Sequence, residues 1–155
     1  MLAHQAAVHN LITLANFEAR KAEYLRTDAV AIDPMAERLL RAMLFVKSAP
    51  MTAAVKGTSA FASGFAARGP RDRKGRSLRD LDLERRLFRY PLSYLIYSDS
   101  FDGLPESVKS YVFRRLRDVL GGRDVSPEFA HLSAEDRQAI LEILEDTKPA
   151  FAASR

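Results

Sequence analysis

The chain has no cysteine among its 155 residues. This excludes disulfides, thiolate-bound metals, a cysteine nucleophile and covalent haem attachment through thioethers. It leaves the compartment open, because cysteine-free proteins occur on both sides of an inner membrane. No apolar run approaches the roughly 18 residues that a membrane span needs. The greasiest stretch, Tyr90 to Tyr97, is far too short. No basic segment followed by an apolar one opens the chain, so no export signal is visible. There is no serine in a nucleophile-elbow context, no phosphate-binding loop and no dinucleotide fingerprint. Internal repeats and low-complexity tracts are also lacking.

What is present fits one globular domain: 47% hydrophobic residues against 28% charged ones, in a length able to bury a sizeable core. The net charge of +4 is unevenly placed. Arg68 to Arg89 holds nine Lys or Arg against four Asp or Glu, a local excess of five, which leaves the remainder at −1. The basicity therefore belongs to one segment, in which residues 70–76 read as an exposed basic loop.

Apolar spacing of three and four residues predicts an all-α fold, a single domain of about six or seven helices. Met1 to Arg26 forms the first through Leu2, Val8, Leu11, Ile12, Ala15, Ala19, Ala22 and Leu25. It begins without a capping residue, which fits a piece of a longer sequence and a frayed terminus equally. Thr27 to Ile32 reads as a short connection, and Asp33-Pro34 starts a second helix that Pro50 ends. The two are expected to pack antiparallel. Thr58-Ser59 is the expected cap of a short helix carrying Phe61, Phe65 and Ala66, weakened by Gly57 and Gly64. Ser77 and Asp80 resemble a capping box, predicting a helix that buries Leu78, Leu81, Leu87 and Phe88 until Pro91 breaks it. For residues 91–98 periodicity does not separate strand from helix; helical neighbours favour helix. Leu104-Pro105 opens another helix, stopped by Gly121-Gly122. Ser133 with Asp136 starts the next, Pro149 ends it, and Ala150 to Arg155 is expected to fray.

Two candidate sites stand out, neither of them catalytic. His4 and His9 lie on one helix, but five residues place them about 140° apart, so both cannot grip one ion from a straight helix. Single axial ligation by one of them stays open beside a purely structural role. Arg71, Arg73, Lys74, Arg76 and Arg79 precede the expected helix start, where amides and dipole also favour anions. That pattern fits phosphate, nucleic acid, an anionic lipid surface or an acidic partner, but a solvated loop is the favoured reading, since Asp72 interrupts the run and no nucleic-acid-binding motif accompanies it. The tyrosines and phenylalanines from Phe88 to Phe101 suit a cleft or a core edge. Arg114, Arg115 and Arg117 are expected to pair with Asp80, Asp82 and Glu84, whose carboxylates need no catalytic role. His131 reads as a packing or capping neighbour of Ser133.

The blocks HQAAVHNLITLANFEAR, GPRDRKGRSLRDLDLERRLFRYPLSYLIYS, FDGLPESVKSYVFRRLRDVLGGRD and FAHLSAEDRQAILEILEDTKP resemble the C-terminal portion of a family of large uncharacterised exported bacterial proteins. Members of that family are similar to c-type-cytochrome-containing polypeptides. The resemblance implies a periplasmic parent with haem attached upstream, and a protein partner that is the upstream part of the same polypeptide. It raises His4 or His9 as an axial haem ligand. Departing from the haem-binding pattern, this chain has no Cys-x-x-Cys-His, so any haem is held by a missing partner segment. The expected function is a helical binding or accessory module of such an assembly, with an anion- or nucleic-acid-binding domain using residues 71–79 as the alternative.

Overall fold

A computed structural model of the chain describes residues 1–26, 32–49, 51–55 and 60–154. The connection after Arg26, the stop at Pro50, the Gly57 and Thr58-Ser59 signals and Arg155 lie outside them. The described residues form seven α-helices: α1 (Leu2–Leu25), α2 (Ile32–Met43), α3 (Phe61–Ala67), α4 (Asp99–Asp102), α5 (Glu106–Leu120), α6 (Ala134–Thr147) and α7 (Pro149–Ala153). Two 3-10 helices, Tyr94–Tyr97 and Pro127–Phe129, complete an all-helical domain without a strand among these residues.

Small residues set the first layer. Val8, Ile12, Ala15, Ala19 and Ala22 form the buried face of α1, and Ala36 is fully buried on α2. Alanine on both helices lets their axes approach closely, as ridge-and-groove packing requires. The His4 ring stacks at 4.0 Å on Phe45, just beyond α2, so the start of α1 meets the end of α2 and the pair is antiparallel. Helix α5 packs beneath α2 and presents Val108, Val112, Leu116 and Val119 to the core. The Ser133 cap forms as read: its hydroxyl accepts the Asp136 N–H at 3.0 Å while Asp136 accepts the Ser133 N–H.

Several expectations need correction. Residues 78–90 do not form a helix. Side chains there compete for the backbone donors that a helix needs. Asp82 Oδ1 accepts the Glu84 and Arg85 N–H groups, and Asp80 Oδ2 accepts that of Ser77. Leu83 then adopts φ 63°, and the chain doubles back with Leu81 bridged antiparallel to Phe88. Leu78 and Phe88 are buried all the same. Second, the tail does not fray: Pro149 starts α7, and the buried Phe151 ring meets Phe113 edge-on at 5.5 Å. Third, the arginines of α5 pair elsewhere. Arg115 binds Glu37 and Asp124, Arg117 binds Glu145, and Arg114 lies over Tyr111. Residues 94–97 are helical, in the tighter 3-10 form. Leu2 and Leu25, expected on the apolar stripe of α1, are exposed.

Candidate binding groove

The irregular segment 68–93 is held by side chains, and Asp72 is its hub. Its carboxylate, buried in the domain, accepts the Lys74 and Arg76 backbone N–H groups at 3.0 and 2.8 Å and the Arg76 guanidinium at 2.6 Å. Burial pushes this carboxyl up, but the Arg76 amide and guanidinium outweigh that and hold it below the usual range. The aspartate that interrupts the basic run in sequence is what shapes it in space.

Each cation of the run has a partner. Arg71 reaches Asp80 at 3.1 Å and the Gly75 carbonyl. Arg73 donates from its backbone and its guanidinium to Asp146. Lys74 and Arg76 converge on Glu142 at 2.8 and 2.5 Å. Arg79 lies 4.5 Å above the Tyr94 ring and 4.8 Å above Phe65, as cation–π geometry favours. The Glu142 carboxyl is lowered to about 2 by the Gln138 amide, Lys74 and Arg76. The basic loop is therefore laid across α6.

Between the doubled-back turn and the first half of α6 lies a groove of about 910 Å³. Leu81, Tyr90 and Ala139 supply apolar lining. Arg86 grips Asp136 through both amino groups, at 2.6 and 2.8 Å, the planar fork-to-carboxylate geometry. Four charged side chains lining this groove have neither an ion pair nor a side-chain hydrogen bond among the described residues: Arg85, Glu84, Glu135 and Arg89, the last 5.9 Å over the Tyr90 ring. Both arginines and both glutamates are exposed. Sequence spacing did not single out Arg85 or Arg89: four residues apart, they would share one solvated face of the helix expected there, and nothing local ties them to the face of α6 that the observed turn brings them to.

The two histidines have different surroundings. His4 Nε2 lies 3.1 Å from Ser93 Oγ, and its ring stacks on Phe45. Burial, then the nearby N-terminal amino group, lowers its pKa from 6.5 to about 4. Nε2 is thus turned towards Ser93, and Nδ1 is the ring nitrogen without a hydrogen bond among the described residues. His9 is half-buried, with no side-chain hydrogen bond among the described residues. His131 Nε2 lies 2.7 Å from the Leu44 carbonyl, so that nitrogen carries the proton and caps the end of α2. No group of three His, Cys, Asp or Glu placed to hold a metal occurs among the described residues.

His4 makes stability depend on pH. The unfolded chain binds this proton near 6.5 and the folded chain only near 4, so acid favours unfolding. Stability is full above about pH 6.5 and declines as pH falls towards 4. Urea midpoints measured at steps across this range should fall, and the fall should be shallower in His4→Gln. Equal slopes in both proteins would refute the assignment.

Comparison with protein families, with curated proteins and with solved structures finds no match to this chain. No described helix is long and apolar enough to cross a membrane.

Proposed function

We propose that this chain is a helical accessory module that holds a polypeptide segment in the groove between residues 81–90 and α6. One observation carries the reading: the groove's charged side chains without an ion pair or a side-chain hydrogen bond among the described residues are balanced, Arg85 and Arg89 against Glu84 and Glu135, over an apolar lining. A peptide can match such a surface with side chains of both signs and seat an apolar residue between them. A nucleic acid brings one uninterrupted line of phosphates and would meet the two glutamates as repulsion. The resemblance supplies the partner in this reading, the upstream, haem-bearing part of a periplasmic c-type-cytochrome-like polypeptide.

The test is titration with peptides tiling that upstream portion, followed by amide shifts of the chain. Binding should perturb Tyr90 and Ala139, and the double variant Arg85→Ala, Arg89→Ala should weaken it by about tenfold or more. A single-stranded oligonucleotide is the competing probe. Tighter binding of it, falling steeply with salt and lost on changing Arg71, Arg73, Lys74, Arg76 and Arg79, would replace this reading with the anion-binding one. Haem contact is read separately: a Soret shift on mixing with the haem-bearing segment that His9→Ala removes and His4→Ala preserves.

A further inference from the structure

Helix α1 carries two apolar stripes, and the fold uses only one. The buried stripe is Val8, Ile12, Ala15, Ala19 and Ala22. Centred about 140° away on the helix, at 100° per residue, lies a second set: Ala3, Ala7, Asn10, Leu14, Phe17, Lys21 and Tyr24. All seven are exposed. Phe17 keeps 60% and Tyr24 87% of its surface in solvent, with Leu25 at 54% on the flank. Large apolar side chains left this open along one line are unusual unless something covers them. The spacing within this set alternates strictly between four and three residues across three turns of the pattern. That is the seam of a coiled coil, with Asn10 and Lys21 as its polar positions.

We propose that this face of α1 binds the same face of α1 in a second copy of the chain, antiparallel. The charge pattern selects both the occupant and the direction. In a parallel pair each seam residue meets its own copy, so Lys21 would face Lys21 in a nearly dry contact. In an antiparallel pair with Leu14 opposite Phe17, Lys21 faces Asn10, whose side-chain carbonyl accepts from the ammonium. The same register sets Ala7 opposite Tyr24, small against large. Shifting by one heptad in either direction places Leu14 against Asn10 or Phe17 against Lys21. One register alone pairs polar with polar, large with large at the centre and small with large at the ends, and it is two-fold symmetric, as a closed dimer requires.

The size of the contact sets its strength. In this register residues 6–25 of the two helices overlap over about 30 Å, so a strip roughly 12 Å wide buries on the order of 700 Å² over both copies. That lies below the roughly 1,200 Å² at which stable interfaces begin, where association is weak and reversible. The dimer is therefore expected to populate in the range of tens to hundreds of micromolar.

Sedimentation equilibrium from about 1 µM to about 1 mM reads it directly. The mass should rise towards a dimer, and Phe17→Glu should return it to monomer while the far-ultraviolet spectrum is unchanged, since the side chain touches no core. Asn10→Glu discriminates direction. It should tighten the antiparallel pair several-fold by facing Lys21, whereas in a parallel pair it would face itself and weaken association. The cysteine-free background allows a second readout of direction. A mixture of Ala7→Cys and Tyr24→Cys chains should form the mixed disulfide in preference to either homodimer on mild oxidation. A monomer throughout the concentration range overturns the proposal. So does a dimer unaffected by Phe17→Glu, which would place the interface elsewhere, or one that Asn10→Glu weakens.

Discussion

Arg137→Ala is expected to lower stability by about 3 kcal/mol. Its guanidinium sits where three segments converge. Nη1 donates to the carbonyls of Val119 and Asp124, Nη2 to that of Phe129 at 3.1 Å, and Nε to that of Leu132 at 3.2 Å. One planar fork thus closes the end of α5, the 3-10 helix Pro127–Phe129 and the entry to α6. Alanine leaves these acceptors without that donor and removes a charge-assisted bond from each. Lysine is a poor replacement, because a single ammonium cannot span acceptors arranged around a fork. Thermal unfolding should show the alanine variant melting roughly 6–12 °C lower, with lysine recovering less than half. A loss under about 1 kcal/mol would mean that solvent takes over these carbonyls.

The second large effect falls on Asp72→Ala, expected to cost about 2–4 kcal/mol. The substitution strands the Lys74 and Arg76 N–H groups and leaves Arg76 with Glu142 as its remaining carboxylate. Arg73→Ala is the matched control: its guanidinium is 90% exposed although it touches Asp146, and solvent screening makes its loss nearly silent. Denaturant midpoints for the two variants should therefore separate widely even though both remove one ion pair of the same loop. Asp72 acts in the opposite pH sense to a raised base: its folded pKa is depressed, so its contribution is present above about 3.8 and fades as pH falls further. If the two midpoints coincide, the hub role given to Asp72 is wrong.

The helices were legible because their signals are local. Val108, Val112, Leu116 and Val119 repeat at helical spacing, and Ser133 with Asp136 satisfies its own helix end; both survive unchanged in the structure. The turn at 78–90 was not legible, since whether Asp82 caps a helix or folds the chain back on itself depends on what Leu81 and Phe88 pack against. Leu78 and Phe88 are buried as expected although the element differs, because a hairpin-like turn and a helix both bring them to one core, while Leu81 and Leu87 stay half-buried. Arg137 and Asp72 carry no local signal at all. An arginine inside a helix and an aspartate inside a basic run look like surface residues until partners 5 to 18 residues away, or the fold of the loop itself, are known. The same holds for Arg85 and Arg89.

The clamp of residues 73–76 on α6 joins positions 66 to 73 residues apart in sequence. Chain closure over that distance is costly in entropy, and this loop has few repeating backbone hydrogen bonds to offset it. The helices, whose bonds are local, can form and persist before the loop seats. The loop is therefore expected to open before α5 and α6 do: releasing Glu142 and Asp146 would widen one wall of the groove while those helices stay folded. A partner that exchanges its own carboxylates for those two would find the groove wider than it is when closed.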